Sequence, residues 1–264
     1  MDQVAVIIPF YKTELTENEK LSLKQCFKIL SNYPVIAIKP HALDLSSLEK
    51  EFDFLRIESF DNHFFENING YNRLMLSDIF YGFFLNYEYI LIYQLDAFVF
   101  SDQLKDWCEK NYDYIGAPWL YPRKNSLSDF LSKVKGAIFR KMNTQTNGVP
   151  KKKQFYNQVG NGGFSLRKTK PFYELSIRFR ELANTYIDKR KGEFNEDIFW
   201  SIEINRKTAY LRIPNYKIAL KFAVETEAEL AFKLNNNRLP FGCHAWEKNP
   251  DFWLPVFQQI GIEM

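Results

Sequence analysis

Residues 89–98 read Tyr-Ile-Leu-Ile-Tyr-Gln-Leu-Asp-Ala-Phe, an apolar run that is followed by a carboxylate. A run of aromatic and β-branched residues of this length predicts a strand over Tyr89–Tyr93 that is buried on both faces. In open α/β sheets, ligands bind beyond the carboxyl ends of the strands. The pattern therefore places Asp96 at the ligand-binding edge of a parallel sheet, although an Asp at this point is also a common turn former.

The segments before this run predict the remainder of such a sheet. The predicted strands cover 4–8, 35–38 and 54–57, and the predicted helices cover 17–30 and 71–85. Alternation of strand and helix is typical of a doubly wound α/β half. The second half is less regular, with a predicted helix over 171–189, and no repeat or domain boundary is visible. We therefore expect one domain over 1–264.

The composition limits the classes of protein that fit. Apolar residues make up 46% and charged residues 25% of the 264 positions, which is ordinary for a soluble globular protein. A net charge of only +3 gives no overall signal for nucleic-acid binding. No apolar stretch approaches the roughly 18 residues of a membrane span. Three cysteines without metal-type spacing and the absence of a signal-peptide pattern lead us to expect a cytoplasmic protein.

The segment 121–155 is strongly basic. It contains one acid, Asp129, and nine basic residues: Arg123, Lys124, Lys133, Lys135, Arg140, Lys141, Lys151, Lys152 and Lys153. Residues 127–142 have an apolar helical stripe, formed by Leu127, Phe130, Leu131, Val134, Ile138, Phe139 and Met142. Such a helix either lies on an anionic membrane or buries its stripe against the sheet and solvates its basic face. Residues 143–154 are predicted to form a mobile loop.

Three further motifs have both a structural and a chemical interpretation. Glycines around Asn161, at 160–163, allow close approach of the backbone to a ligand or a positive φ, and they also suit a plain tight turn. Glu196 and Asp197 fit the first turn of a helix, or supply a general base. His244 is either a structural residue or a ligand for a metal or phosphate. With only three histidines in the chain, a multi-histidine zinc site is excluded.

Read in order, these motifs resemble a known family. The segments Tyr-Gln-Leu-Asp-Ala-Phe (93–98), Tyr-Ile-Gly-Ala-Pro-Trp (114–119), Gly-Asn-Gly-Gly-Phe-Ser-Leu-Arg (160–167) and Glu-Asp-Ile-Phe-Trp (196–200) resemble the DUF5672 family of glycosyltransferase-like proteins over about 4–250. The resemblance implies an α/β, GT-A-like (Rossmann-related) domain with a mixed, mostly parallel central sheet flanked by helices. Residues 1–100 would bind the nucleotide and 101–264 the acceptor, with the basic segment at about 121–155 as an insertion.

The resemblance also implies roles for individual residues. Asp197 would be the catalytic base, with Glu196 as the second choice. Asp96 and His244 would hold Mn²⁺ or Mg²⁺, although Gln94 replaces the first acid of the family's Asp-x-Asp motif and lowers the expected metal affinity. The expected donor-binding residues are Pro9, Tyr11, Asn72, Arg73, Gln94 and Asp96. The expected sugar and acceptor pocket consists of Trp119, Asn161, Gly162, Gly163 and Trp246.

The implied reaction is transfer of a hexose-type sugar, with inversion, from a UDP-sugar to a hydroxyl of a glycan or lipid-linked glycan in surface polysaccharide synthesis. The expected location is cytoplasmic, with peripheral attachment at the inner face of the plasma membrane. Two alternatives stay open: a non-catalytic carbohydrate-binding protein on a decayed transferase fold, and a nucleotidyltransferase, which the glycine-free loop after Pro9 makes less attractive. We also expect Asp96 to lie in the largest cleft, together with Asp197 and His244.

Overall fold

The structure is a computed structural model that describes residues 2–121 and 126–262. From the basic segment, Arg123 and Lys124 lie outside the described residues, as do the side chains of Leu127, Asp129 and Phe130. The strands are β1 Asp2–Pro9, β2 Val35–Pro40, β3 Arg56–Phe60, β4 Tyr87–Tyr93, β5 Ala97–Val99, β6 Tyr114–Gly116, β7 Pro118–Trp119, β8 Gln145–Thr146, β9 Val149–Pro150, β10 Gln158–Val159, β11 Phe164–Lys168, β12 Ala223–Val224 and β13 Gly242–His244. The helices are α1 Glu17–Ile29, α2 Ser46–Glu49, α3 Ile68–Met75, α4 Asp78–Gly82, α5 Leu104–Glu109, α6 Ser126–Lys141, α7 Thr169–Arg178, α8 Arg180–Ile187, α9 Glu196–Ile198, α10 Tyr216–Phe222, α11 Ala228–Leu234 and α12 Pro250–Gln259.

The central sheet has six strands in the order β3-β2-β1-β4-β11-β6. The first four of these are parallel, and β11 is antiparallel to both β4 and β6. Side chains of β1 alternate between two apolar clusters, with Val6 and Ile8 on one face and Ala5 and Ile7 on the other. Burial on both faces explains the continuous apolar runs in the sequence, and the predicted mixed, mostly parallel sheet is confirmed.

A second, three-stranded sheet in the order β12-β13-β5 lies at the carboxyl end of β4. In this sheet β5 is antiparallel to β13, which places Ala97 opposite His244. The neighbouring β12 is parallel to β13 and ends directly before Glu225. The small sheet therefore brings three titratable residues from distant parts of the chain to one point: Asp96, Glu225 and His244.

Two predicted helices are each broken into two. The helix predicted over 71–85 is interrupted after Met75, and the second piece starts where the Ser77 hydroxyl accepts a hydrogen bond from the Phe80 amide at 3.1 Å. A serine in this role caps a new helix start, which is why the apolar periodicity continues across a change of direction. The helix predicted over 171–189 is likewise divided, at Phe179.

The predicted loop at 143–154 contains regular structure. Strands β8 and β9 form a short hairpin, in which Thr146 pairs with Val149. The two residues of its turn, Asn147 and Gly148, have φ values of 51° and 73°. Asn-Gly is the preferred sequence for a two-residue turn that needs positive φ at both positions, so the hairpin could have been read from the sequence.

The apolar stripe of α6 is exposed. Leu131, Val134, Ile138 and Met142 have 60%, 45%, 50% and 73% of their surface exposed. The opposite side of the helix packs on the segment at 152–154, where a Cβ on Gly136 would lie 2.6 Å from the Lys153 carbonyl oxygen. Of the two alternatives for this helix, the described part contradicts burial of the stripe against the sheet. Among the helices at 2–121 and 126–262, none is long and apolar enough to cross a membrane.

Candidate functional site

A cleft of about 460 Å³ lies at the carboxyl ends of β1 and β4. Its lining consists of Pro9, Tyr11, Lys12, Glu19, Phe65, Asn67, Ile68, Tyr71, Gln94, Leu95 and Asp96. Four of the predicted donor-binding residues thus share one cavity. The expectation that Asp96 lies in the largest cleft is wrong, because a cavity of about 510 Å³ lies beneath α6.

Aromatic rings form one wall of this cleft. The Tyr11 ring is 45% exposed and makes edge contacts with Phe65 and Tyr71, at centroid distances of 5.7 and 5.9 Å. Two buried rings therefore hold Tyr11 with part of its surface towards the cavity. A fixed aromatic surface of this kind suits stacking on a planar base.

His244 is the centre of a polar cluster at the inner end of the cleft. Its Nε2 lies 3.0 Å from Asp96 Oδ1 and 3.1 Å from Gln94 Oε1, and its Nδ1 lies 3.3 Å from Glu225 Oε1. Sequence analysis identified Asp96, Gln94 and His244 but missed Glu225. The signal was present, because Glu225 follows a short apolar run, as Asp96 does, but nothing local showed that this run pairs with the strand of His244.

The two carboxylates determine the charge of the His244 ring. Burial lowers the pKa of His244, but hydrogen bonds and charge attraction from Asp96 and Glu225 outweigh burial and raise it to about 9. Burial raises the pKa of Asp96, and the contact with His244 more than reverses this, so the net pKa is lowered. At neutral pH the ring is therefore protonated on both nitrogens and positively charged, and it lies between the side chains of Asp96 and Glu225.

The same cluster fits a divalent cation that replaces the proton on Nε2. Glu225 would accept the hydrogen bond from Nδ1–H, which orients the ring and leaves Nε2 for the metal, an arrangement common in metal sites. Asp96 and the Gln94 amide oxygen are the other donors. Within 2–121 and 126–262, no three His, Cys, Asp or Glu side chains converge on a metal position. A cation held by His244, Asp96 and Gln94 would therefore need further oxygen ligands from a bound substrate.

Glu196 forms a buried ion pair with Arg167. It is 3% exposed, and its two carboxylate oxygens accept hydrogen bonds from Arg167 at 2.8 and 3.1 Å. Arg167 is itself fully buried, on β11, and also donates to the Tyr81 hydroxyl at 2.9 Å. Both carboxylate oxygens of Glu196 are therefore occupied by Arg167. No local sequence pattern indicated Arg167 as the partner of Glu196.

Asp197 has a different environment, although it is the next residue. It is half-buried, and among the described residues it makes no ion pair; its Oδ1 accepts a hydrogen bond from its own neighbour, the Ile198 amide, at 2.8 Å. Burial, followed by the charges of Glu196 and Glu225, raises the pKa of Asp197 well above the ordinary carboxyl value. Since Glu225 also contacts His244, Asp197 and the Asp96 cluster belong to one electrostatic unit.

The glycines at 160–163 are required by close contacts, not by positive φ. A Cβ on Gly162 would lie 2.2 Å from Glu196 Oε1, and one on Gly163 would lie 2.0 Å from His244 Nε2. Neither glycine has a positive φ. Any larger residue would displace Glu196 or His244, so this turn packs directly against both of these side chains.

The other predicted pocket residues are placed as follows. Asn161 is 6% exposed, and its side-chain oxygen accepts from the Gly163 amide at 3.1 Å, so it shapes the turn. Trp119 is half-buried, with an edge contact to Phe155 at 6.2 Å. The assignment of Trp246 to the sugar pocket is wrong, because it is 1% exposed and packs in an apolar core beneath the small sheet.

Asn72 and Arg73 do not line the cleft of Asp96. They line an adjoining cavity of about 470 Å³ between α3 and the segment at 187–195, which shares Asn67 and Ile68 with the cleft. The Asn72 side chain accepts a hydrogen bond from the Glu196 amide at 3.1 Å. It also donates to the Asn195 side chain at 3.1 Å. Asn72 therefore holds the start of the acidic segment, and Arg73 pairs with Asp188.

Comparisons with known proteins give a family and a fold. The profile of the family described as "Protein of unknown function (DUF5672)" matches residues 54–244. Among solved structures, the mouse xyloside xylosyltransferase 1, apo form, is similar with a TM-score of 0.52 and 10% identity, over 92% of this chain and 96% of that one. S. aureus TarS in complex with UDP-GlcNAc is similar with a TM-score of 0.38 and 14% identity, over 66% of this chain and 48% of that one. A comparison with curated proteins finds no match. The likeness to the xylosyltransferase, with the observed sheet order, confirms the predicted GT-A-like fold.

Proposed function

The chain belongs to the DUF5672 family, and we propose that it is a glycosyltransferase that moves a hexose-type sugar from a nucleotide diphosphate donor, a UDP-sugar, to a hydroxyl of a glycan or lipid-linked glycan. One observation carries the proposal. A cleft with an exposed aromatic surface leads to the Asp96–His244 cluster, and a half-buried Asp197 of raised pKa lies within electrostatic reach of the same cluster. These are the parts that base stacking, diphosphate binding and proton removal require.

The donor would lie along the cleft from Tyr11 to His244. The base would stack on Tyr11, and Lys12 at the cleft wall would attract the diphosphate, although it also pairs with Glu19 at 2.8 Å. A divalent cation held by Asp96, His244 and the Gln94 amide oxygen would neutralise the leaving diphosphate. Without a cation, the Asp96 carboxylate would lie against the donor diphosphate and repel it.

The acceptor hydroxyl would lose its proton to Asp197. Its oxygen forms a bond to the anomeric carbon, the bond from that carbon to the diphosphate oxygen breaks, and the nucleotide leaves with the electron pair. Because the attack comes from the side opposite to the leaving group, the anomeric configuration inverts. A raised pKa suits this role, since a base works best when its pKa is near the operating pH. Both oxygens of Glu196 already accept hydrogen bonds from Arg167, which favours Asp197 over Glu196 as the proposed base.

The acceptor would enter through the cavity between α3 and the segment at 187–195. Its lining includes four asparagines, Asn67, Asn69, Asn72 and Asn195, and the last of these directly precedes the acidic pair. Amide side chains donate and accept hydrogen bonds at once, which suits the hydroxyl groups of a glycan. Arg190 and Lys191 at the same cavity add positive charge.

Incubation with a panel of UDP-sugars tests the proposed reaction. We expect turnover of one donor in the presence of Mn²⁺ or Mg²⁺, and loss of most of it in Asp96→Asn and after chelation. Proton NMR of the first product formed should show the anomeric configuration opposite to that of the donor. Binding of UDP-sugars without hydrolysis or transfer, under all acceptors tried, would favour the carbohydrate-binding alternative, and retention of configuration would overturn the role given to Asp197.

The exposed stripe of α6 supports peripheral attachment to an anionic membrane, where a lipid-linked acceptor for surface polysaccharide would be found. Lys135 and Lys141 are exposed beside the stripe, so apolar and cationic groups share one surface. This membrane surface consists of Leu131, Val134, Ile138, Met142 and the two lysines.

Co-sedimentation with vesicles tests the membrane surface. We expect binding to phosphatidylglycerol vesicles that weakens with salt. Ile138→Asp should weaken it by about tenfold or more, because a charge replaces buried apolar area. The matched control is Ile79→Asp, at an isoleucine that is 54% exposed on α4. Equal binding to neutral vesicles, or an equal effect of both substitutions, would contradict attachment through α6.

A further inference from the structure

A second polar cavity, of about 510 Å³, lies beneath α6 and shares no residue with the cleft of Asp96. Its walls come from α6, from the strand β10 and from the residues that follow Asp197, including a π-helical turn at Phe199–Glu203. The basic residues in its lining are Arg140, Lys141 and Arg206, and none of the described residues that line it is Asp or Glu. No role in the proposed transfer reaction uses this cavity.

Arg206 is the most deeply buried of these cations. Its side chain is 7% exposed; its Nε donates to Glu203 at 2.7 Å, and one terminal nitrogen donates to the Gln154 side chain at 2.9 Å and to the Arg140 carbonyl oxygen. The other terminal nitrogen, Nη2, is buried and has no hydrogen-bond partner among the described residues. A guanidinium that is buried with an unmatched donor is unfavourable unless an acceptor is supplied.

Two further features of this cavity show an excess of positive charge and of hydrogen-bond donors. Arg140 lines the same cavity, and burial together with the charge of Arg206 lowers its pKa, which indicates two guanidinium groups that repel each other. The Ser201 hydroxyl, also in the lining, is buried without a partner among the described residues. Glu203 pairs with Arg206, but among the described residues neither Arg140 nor Lys141 has an acidic partner; Arg140 donates to the Gln154 carbonyl oxygen at 3.2 Å.

We propose that this cavity binds the phosphate or diphosphate group of a ligand other than the sugar donor. Guanidinium groups bind phosphate oxygens through paired, charge-assisted hydrogen bonds, and a bound anion would offset the repulsion between Arg140 and Arg206. The ligand has room to extend, because a cavity of about 400 Å³ shares Arg140 with this one and adds Lys133, Lys153 and tyrosine rings. The proposal does not depend on the transferase activity.

Calorimetric titration with inorganic pyrophosphate tests the site. We expect the wild-type chain to bind it, and Arg140→Gln and Lys141→Gln to bind it about tenfold or more weakly, since each removes one charge-assisted contact. Asp96→Asn should bind as the wild type does, which separates this site from the donor cleft. The exposed Lys50→Gln is the matched control for general charge effects. Binding that is lost in Asp96→Asn and kept in both cavity variants would overturn the proposal.

Thermal unfolding gives a readout that does not depend on the calorimetry. Pyrophosphate should raise the unfolding temperature of the wild type and not that of Arg140→Gln. Without the anion, Arg140→Gln removes a like-charge repulsion and also the hydrogen bond to the Gln154 carbonyl oxygen at 3.2 Å, so we expect it to unfold close to the wild-type temperature. A clear drop in the unliganded unfolding temperature of this variant would show that Arg140 is structural and would overturn the anion site.

Vesicle binding distinguishes the two sources of the phosphate group, a lipid and a soluble ligand. If the group belongs to a lipid, Arg140→Gln should weaken sedimentation with phosphatidylglycerol vesicles, and pyrophosphate should compete with them. If it belongs to a soluble ligand, the variant should lose pyrophosphate binding and keep wild-type vesicle binding. Absence of pyrophosphate binding in the wild type, at every concentration reached, refutes the site for either source.

Discussion

Asp197→Asn is expected to lower the rate of transfer by about 100- to 10,000-fold, the range that general-base catalysis contributes. The same substitution should leave the unfolding temperature unchanged below the ordinary carboxyl pKa of 3.8 and raise it at pH 8. Burial, Glu196 and Glu225 raise the pKa of Asp197, so ionisation of this carboxyl group opposes folding. The stabilisation from the protonated form is complete below the ordinary carboxyl pKa and is lost as the pH rises through the raised value. An amide never ionises and avoids that loss.

Transfer assays between pH 5 and pH 8, and thermal melts that extend from below the ordinary carboxyl pKa of 3.8 up to pH 8, measure both effects. In the wild type, kcat/KM should rise with pH as Asp197 loses its proton, and its acid limb should lie above the range of an ordinary carboxyl group. The control, Asp53→Asn, changes an exposed carboxylate away from the cleft and should alter neither quantity. An Asp197→Asn protein that keeps wild-type activity would exclude Asp197 as the base, and one that melts lower at pH 8 would contradict the electrostatic argument.

Arg167→Met is expected to lower the free energy of unfolding by about 3–5 kcal/mol, the usual effect of removing one partner from a buried ion pair. The substitution leaves Glu196 buried without a counter-charge and removes the hydrogen bond to the Tyr81 hydroxyl. The charge of Arg167 opposes the rise in the pKa of Asp197 that its neighbours cause. Denaturant unfolding at constant pH measures the loss.

The exposed ion pair between Arg180 and Asp78 is the control for the buried pair of Arg167 and Glu196. Arg180 donates to Asp78 at 2.9 Å, much as Arg167 does to Glu196, but its side chain is 58% exposed. Arg180→Met should therefore change the free energy of unfolding by no more than about 1 kcal/mol. Adding Glu196→Gln to Arg167→Met should recover part of the loss, because it removes the unpaired charge. Equal losses at the two arginines would show that Glu196 is not held as a buried charge.

The parts of the site that could be predicted from sequence are those fixed by local pattern. The apolar run at 89–93 placed Asp96 at a strand end, and family resemblance singled out His244 and Asp197. Glu225 and Arg167 escaped because their importance depends on which strands pair, and short runs such as 222–224 do not specify a partner. Pairing of β5 with β13 is a property of the whole fold.

Other differences between the predictions from sequence and the structure also have specific causes. Hydrophobic periodicity fixed the helical state of α6 but not the direction of its stripe, because the amount of sheet surface left to cover is not a local property. Trp246 was assigned to the pocket because tryptophan commonly binds sugars, but its position after β13 directs it into the core formed with Phe98 and Phe257. The glycine turn was predicted from sequence. The reason for its glycines is contact with Glu196 and His244, which are distant in sequence, so no local pattern could show it.

The small sheet has a consequence for the order in which the protein gains its site. Gln94 and His244 are 150 positions apart, so their contact has a large loop-closure entropy and forms late in folding. The parallel strands β1 to β4 are all synthesised before β12 and β13 leave the ribosome. During translation, the strands β1 to β4 can therefore pair while the cluster of Asp96, Glu225 and His244 is still missing. Under the proposed function, a nascent chain that binds a nucleotide would not yet be competent to use it.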